Sequence, residues 1–299
     1  MFLAIARARC DGDDRLLALA ICGRSMSDDC GTRHGSDIAR LAASLFGVNS
    51  CLLSSSKKNP AVGRDDPSPG CPPQLVARCV AAMKAAVKLP VTVKCRIGID
   101  EQDPEQSLFG FAAAVKAAGA DALIVHARKA WLKGLSPREN REVPPLNYEI
   151  VHRLKAAHPD WPVIINGGIG SIEMAKAHLE HVDGVMMGRA AYQEPWRLLD
   201  ADPQMFAEPA PVSSAKEAAL AFLPYIEREL ARGTRLHAMT RHMLGLFHAV
   251  PGARAFRRHL STHAVRPAAG TEVLLDALSH VADAPALVDS QVKLPHIAA

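Results

Sequence analysis

Three features are missing from this sequence of 299 residues, and each absence excludes a class of protein. No apolar run approaches the roughly 18 residues of a membrane span, and Met1–Ala6 is too short for the core of a signal peptide. No cysteine follows Cys95, and the seven cysteines lack both metal-ligand spacing and a paired framework. We therefore expect a cytoplasmic protein with reduced thiols, no bound metal and no membrane partner.

The third absence is acidic charge between Arg232 and Gly270. This stretch contains seven arginines and no Asp or Glu, although the net charge of the whole chain is only +4. Such an uneven distribution predicts a basic face in the C-terminal part of the protein.

Hydrophobic periodicity is weak in residues 1–72 and strong afterwards. Only Arg15–Cys22 and Ile38–Phe46 resemble regular elements in the first part, and the rest has the composition of loop or disorder. At about residue 73 the pattern changes abruptly to β-branched runs that alternate with amphipathic stretches. It predicts helices at Gln74–Val87, Ser107–Ala118, Leu146–Ala157 and Ile172–Val182, and strands beginning at Val91, Ala122, Val163 and Val185.

Strands that alternate with helices form βαβ units and a parallel sheet, which we interpret as part of a (β/α)8 TIM barrel. A complete barrel needs four more strands, so we expect its N-terminal strands to be degraded or missing. Further helices are predicted at Ser213–Arg232, Thr234–Phe247, Gly252–His263 and Thr271–Ala282, which form a C-terminal all-helical domain. The predicted domains are an atypical region at 1–72, a barrel portion at 73–206 and a helical domain at 213–284.

Two of the predicted strands run directly into glycine. One ends in Asn166-Gly167-Gly168 and the other in Gly188-Arg189. Glycine lets backbone N–H groups approach an anion closely, and arginine adds positive charge with a planar set of donors. Glycines that only form turns are the alternative, but two strand ends of this kind favour a phosphate site of the type found after the last strands of a barrel.

Two other predicted strands contain a polar side chain near the end. Lys94 and His126 follow apolar residues at equivalent positions near the carboxyl ends of their strands, which is the end of a barrel where active sites are built. A lone histidine at such a position is more often a core residue. Together with a phosphate site, however, these side chains indicate a pocket for FMN, whose ring accumulates negative charge on reduction and is stabilised by a nearby lysine.

The connection at residues 129–145, called the long loop below, exceeds the usual length of a strand-to-helix connection. It contains lysines, arginines and a tryptophan. Long ordered loops at a barrel mouth tend to be functional. With the acid-free arginine stretch, this loop predicts a polyanion as partner, although a plain solvated basic face is the alternative.

These segments resemble the tRNA-dihydrouridine synthase family, most closely its A-type bacterial members. The resemblance covers residues 73–284 and rests on PVTVKCRIGID (90–100), IVHARKAWLKGLSPRENREVPPLNY (124–148), VIINGGIGS (163–171), DGVMMGRAAY (183–192) and TRHMLGLFHAVPGARAFRRHLS (240–261). It implies an FMN-containing TIM barrel with a helical domain that binds tRNA. It further implies reduction of uridine to 5,6-dihydrouridine at D-loop positions 20 and 20a, with NADPH as reductant and no protein partner.

The resemblance also assigns residues to roles. It implies that FMN is bound by Lys94, His126, Asn166, Gly167, Gly168, Gly188 and Arg189. Four arginines match family positions that contact tRNA or determine the subfamily, namely Arg138, Arg141, Arg254 and Arg257. In this family a hydride reaches C6 of the uracil and a cysteine thiol donates a proton to C5, which is general acid catalysis.

The N-terminal third departs from the family pattern. The Ala-Pro-Met flavin motif, the second-strand Gln and the Asn-x-Asn-x-Gly-Cys-Pro motif are absent from residues 1–70. Gly70-Cys71-Pro72 matches only the last three residues of the catalytic motif and lies closer to Lys94 than in the family, yet it makes Cys71 the candidate general acid. Two other functions stay open: an FMN oxidoreductase of the dihydroorotate-dehydrogenase type, and an inactive tRNA-binding remnant.

Overall fold

The computed structural model describes residues 2–10, 13–21, 51–54 and 72–282, and side chains within the last of these ranges. The chain divides into two compact units, Met1–Gly188 and Arg189–Ala299. Each unit is described separately below. The predicted domain boundaries at residues 72, 206 and 213 stay predictions.

The described residues of the first unit form seven strands and four α-helices. The strands are β1 (Phe2–Cys10), β2 (Asp13–Ile21), β3 (Cys51–Ser54), β4 (Val91–Arg96), β5 (Ala122–His126), β6 (Val163–Asn166) and β7 (Gly184–Met187). The helices are α1 (Pro73–Ala86), α2 (Pro104–Ala117), α3 (Glu149–Ala157) and α4 (Ile172–Leu179). The alternation of helix and strand that the sequence predicts after residue 73 is therefore confirmed.

The strands form one sheet in the order β2-β1-β7-β6-β5-β4-β3. Neighbouring strands are parallel from β3 to β7, whereas β1 is antiparallel to both β2 and β7. Among the described strands, β2 and β3 lie at opposite ends of this order. The α/β class with a parallel sheet is thus confirmed, while the closed barrel stays a prediction.

The N-terminal region supplies more strand than the sequence indicated. β1, β2 and β3 all precede residue 72, so the expectation that regular strands are missing there is wrong for these three segments. The predicted element at Arg15–Cys22 overlaps β2, and the one at Ile38–Phe46 lies outside the described residues. The pairing of Cys10 with Asp13 leaves an Asp-Gly pair between β1 and β2, a sequence that favours a two-residue hairpin connection.

Strand β4 has two different faces. Val91, Val93 and Cys95 are fully buried, whereas Thr92, Lys94 and Arg96 alternate with them and are only partly buried. Helices α1 to α4 also bury apolar side chains, among them Val80, Leu108, Ile150, Leu154 and Ala175. Burial of such side chains supplies most of the stabilisation of this layer, at about 25 cal/mol per Å².

The first residue of two strands donates its backbone N–H to an aspartate that immediately precedes the next strand along the chain. Asp121 Oδ2 accepts a hydrogen bond from the backbone N–H of Val91 at 2.5 Å, and Lys84 pairs with the same carboxylate at 2.9 Å. Asp183 Oδ2 accepts from the N–H of Val163 at 2.8 Å in the same way. These carboxylates satisfy the backbone donors of the first residues of β4 and β6.

The described residues of the second unit form helices that are joined by turns and loops. Its helices are α5 (Arg189–Gln193), α6 (Ala215–Ala221), α7 (Leu223–Ala231), α8 (Leu236–Thr240), α9 (Ala253–His263) and α10 (Glu272–Ser279), with short turns of other helix types at Pro195–Asp200 and Asp202–Phe206. No helix in the described part of the chain is long and apolar enough to cross a membrane. The core packs α9 residues Phe256 and Leu260 with Ile226, Leu274 and Leu278.

Two predicted helices of this unit are corrected. The single helix expected at Ser213–Arg232 is two helices that meet at Phe222, because Pro224 lacks the N–H donor that a continuous helix requires. The helix expected at Thr234–Phe247 is limited to α8. Beyond α8, Gly245 packs against the backbone carbonyl of Gln193 so closely that any side chain at this position would overlap it.

Candidate functional site

Polar side chains of three neighbouring strands lie where the parallel strands end. In the sheet register Arg96 of β4 lies beside His126 of β5, His126 lies beside Asn166 of β6, and Asn166 lies beside Met186 of β7. Lys94 lies two residues before Arg96 and therefore shares its face of the sheet. The carboxyl ends of parallel strands are where ligand sites of α/β proteins are built.

A hydrogen-bonded series crosses this edge of the sheet. Lys94 Nζ donates to Asn166 Oδ1 at 2.9 Å, and Asn166 Nδ2 donates to the backbone carbonyl of Met186 at 2.6 Å. Burial lowers the pKa of Lys94 to about 8, so the amine still carries its charge at pH 7. The buried amide of Asn166 thus fixes a cationic donor in the middle of the sheet edge.

The two glycines after β6 form a turn that only glycine fits. Gly167 has φ +116° and Gly168 has φ +69°. A Cβ on Gly167 would lie 3.2 Å from the ring of His126, and a Cβ on Gly168 would lie 2.7 Å from Leu146. Tyr148 donates its hydroxyl proton to the carbonyl of Gly167 at 2.8 Å, which holds the turn in place.

Arg96 connects the sheet edge to the long loop. Its guanidinium donates to the carbonyl of Lys129 at 2.8 Å and to the carbonyl of Asn140 at 2.9 Å. The Asn140 side chain in turn accepts from the N–H of Trp131 and donates to its carbonyl, both at 2.7 Å. The loop is therefore ordered by a polar network anchored on β4, as its predicted functional role requires.

Positive charge accumulates at this junction. Burial, and then the charges of Arg141 and Arg128, lower the pKa of Arg96 below the usual arginine value. Arg128, which lies two residues after β5, donates to the carbonyls of Glu142 and Pro144. These hydrogen bonds hold the end of the long loop near the end of β5. Several cations on one side of a sheet edge are suited to bind an anionic ligand.

The structure brings together five of the residues that the sequence singles out for FMN. Lys94, His126, Asn166, Gly167 and Gly168 all lie at the carboxyl ends of β4 to β6. Gly188 follows β7, and Arg189 is the first residue of α5 and is exposed. Cys71 lies outside the described residues.

The four predicted tRNA residues lie in two places. Arg138 and Arg141 are exposed on the long loop, where Glu139–Arg141 forms a single helical turn. Arg254 and Arg257 lie one helical turn apart on α9, so they share a face of that helix. Within each pair the two arginines lie about one helical turn apart.

Three further residues of the site were not assigned a site role from the sequence. They are Arg96, Asn140 and Tyr148. Arg96 could have been found, because it follows Lys94 by two residues and must share its face of a strand. Asn140 and Tyr148 act through contacts distant in sequence, with Trp131 and with Gly167, so no local pattern identifies them.

The donors at the sheet edge suit a phosphorylated, electron-rich cofactor such as FMN. Lys94 offers a charged amine, and His126 and Leu146 approach the glycine turn so closely that it has no room for a side chain. Anionic ring oxygens and a phosphate both require donors of these kinds. The residues present therefore fit the group that the sequence predicts.

Comparison with known proteins shows the family of the chain. A family model described as "Dihydrouridine synthase (Dus)" matches residues 71–282. The chain is 52% identical over 210 residues to a protein of Vibrio cholerae serotype O1 named tRNA-dihydrouridine(20/20a) synthase, and covers 64% of its length with 70% of its own. Proteins of the same name match from Xanthomonas axonopodis pv. citri, at 54% identity over 207 residues, and from Escherichia coli O6:H1, at 53% over 211 residues. The matches cover 69% and 70% of this chain, and 61% and 64% of those two proteins. The chain thus spans less than two thirds of the length of these relatives.

Proposed function

The chain belongs to the dihydrouridine synthase family, and on that premise we propose that it reduces uridine to 5,6-dihydrouridine in the D-loop of tRNA, at positions 20 and 20a. The proposal includes FMN as cofactor, NADPH as reductant and a complete (β/α)8 barrel as the active fold. The relatives' shared name supports the substrate, because it states tRNA and these two positions.

The observation that supports the chemistry best is the contact between Lys94 and Asn166. It holds a charged amine at the edge where parallel strands end, beside His126 and the glycine turn. Bound FMN supplies the hydride for C6 of the uracil. In the reduced state of the flavin, Lys94 would stabilise the negative charge on the flavin ring, Asn166 would orient the Lys94 amine, and Gly167 and Gly168 would allow close contact without a side chain.

Two roles in this proposal rest on the resemblance alone. Cys71 is the candidate donor of the proton to C5 of the uracil. Four arginines are the candidate contacts to tRNA: Arg138, Arg141 and Arg254, which are exposed, and Arg257, which is partly buried. A target uridine must also leave its base stack to reach a flavin.

The test begins with the visible absorption spectrum of the purified 299-residue chain. We expect a bound flavin, and we expect dihydrouridine in an unmodified tRNA transcript after incubation with NADPH. Cys71→Ala should abolish the product while the flavin spectrum is unchanged. A chain without flavin that still binds tRNA would contradict the enzymatic proposal and support an inactive tRNA-binding protein.

A further inference from the structure

A depression of about 420 Å³ lies on the second unit, at the turn that precedes α9. It is lined by His248, Ala249, Val250, Pro251, Ala253, Arg254 and Arg257. No acidic side chain is among these residues. The lining therefore combines two arginines and an imidazole on a surface that is otherwise apolar.

The imidazole of His248 is oriented by a carboxylate. His248 Nδ1 lies 2.9 Å from Glu194 Oε1, while 56% of the His248 side chain is exposed. Glu194 also pairs with Arg197, whose guanidinium lies 4.9 Å from the centre of the Trp196 ring. Glu194 thus contacts both His248 and Arg197, and Nε2 is the ring nitrogen of His248 that the contact with Glu194 does not use.

The two arginines reach the same depression from one helix. Arg254 and Arg257 are three residues apart in α9, a spacing that puts both side chains on one face. The N-terminus of this 11-residue helix adds positive partial charge at the same end. Arginine donors in this arrangement match the geometry of phosphate oxygens better than that of a single carbonyl group.

We propose that His248, positioned by Glu194, completes with Arg254 and Arg257 a site for one backbone phosphate of tRNA. The inference rests on the proposed function, since it names one contact point of the tRNA substrate. His248 and the arginines touch the phosphate, and Glu194 is a positioning residue that acts through His248. A single shared phosphate makes the three contacts interdependent.

The test measures tRNA binding by the full chain at several salt concentrations. We expect His248→Ala, Arg254→Ala and Arg257→Ala each to weaken binding by about tenfold, as loss of a charge-assisted hydrogen bond does. The slope of log affinity against log salt should fall by about 1 for each arginine variant. His280→Ala and Arg266→Ala remove an exposed imidazole and an exposed guanidinium of the same unit outside the depression, and should leave binding nearly unchanged.

Double substitution distinguishes one shared phosphate from separate contacts. The variant with both His248→Ala and Arg254→Ala should lose less than the hundredfold expected for independent sites, because both residues serve the same group. Losses that multiply would contradict a shared site. Inorganic phosphate should not compete with tRNA beyond the effect of equal ionic strength, and strong competition would instead indicate a small phosphorylated ligand.

The sign of the Glu194→Gln effect tests the positioning role. If Glu194 only repelled a polyanion, its neutralisation would tighten tRNA binding. We expect weaker binding in the otherwise unchanged chain and tighter binding when His248 is already alanine. Cooperative thermal unfolding of each variant controls for misfolding. Absence of any tRNA binding by the parent chain would refute the proposed function, whereas binding that His248→Ala leaves unchanged would refute only this inference.

Discussion

Lys94 Nζ and Asn166 Oδ1 lie 2.9 Å apart although β5 runs between their strands, and 72 residues separate them in the chain. The lysine side chain crosses over the middle strand to reach the amide. This contact defines the polar edge of the sheet, because it joins the cation on β4 to the strand that leads into the glycine turn. The predictions below test this edge and the packing that supports it.

Replacement of Lys94 by methionine tests the charge at this edge. The substitution keeps the length of the side chain and removes the amine, so FMN affinity should fall by about 10- to 100-fold. Lys88→Met is the matched control, since Lys88 is exposed on the same unit. The measurement is flavin retained after dialysis at equal protein concentration. Equal retention in both variants would contradict a role for Lys94 in holding FMN.

Replacement of Gly168 by alanine tests the turn. The new Cβ would lie 2.7 Å from Leu146 and 2.9 Å from the Tyr148 hydroxyl, at φ +69°. We expect a loss of about 1–3 kcal/mol in the free energy of unfolding, together with weaker FMN binding. Gly170→Ala is the control, because no atom lies within 4 Å of its added Cβ. Denaturant titration of the two variants compares them directly.

The stability of the first unit should depend on the protonation of His178. Burial, and then the charges of His152 and His181, lower the pKa of His178 to about 4. His178 also packs edge-on against Tyr148, which holds the glycine turn, and its Nδ1 lies 3.4 Å from His152 Nε2. Between about pH 6.5 and pH 4 the imidazole of His178 is protonated in the unfolded chain and neutral in the folded chain.

The free energy of unfolding should therefore fall as pH falls through this window, by about 2 kcal/mol from His178. His178→Gln removes the titrating group, so the difference between parent and variant should change between pH 6.5 and pH 4 and be constant above pH 7. Urea titrations at a series of pH values provide the measurement. A difference that does not vary with pH would exclude this role.

Asp183, which precedes β7 and bonds to the first residue of β6, should contribute much more to the free energy of unfolding than an exposed ion pair does. Asp183 accepts from the N–H of Val163 at 2.8 Å and pairs with Lys155 at 2.8 Å. Asp183→Ala leaves both donors without this acceptor, and we expect a loss of about 2–4 kcal/mol. Glu105→Ala breaks the exposed pair with Arg153 and should cost less than about 1 kcal/mol. Similar losses in the two variants would contradict the proposed difference.

Regular elements were predictable where the local pattern agrees with the environment. α1 and β4 follow from apolar residues at helical and alternating spacing, because these spacings match the faces that the chain buries. α6 and α7 were predicted as one helix, although Pro224 marks the break. The sequence did not predict the hairpin of β1 and β2, because apolar and polar residues alternate only weakly there. In addition β7, the strand that pairs with β1, lies more than 160 residues further along the chain.

The sequence by itself determined the family, the alternation of helices and strands after residue 73, and the residue types at the site. It did so because strand ends, glycine pairs and basic stretches are local signals. Only the tertiary structure decided that Lys94 bonds to Asn166, that Arg96 anchors the long loop through Asn140, and that His248 faces Glu194. These contacts join residues far apart in the chain, and their geometry depends on how the packed elements place each side chain.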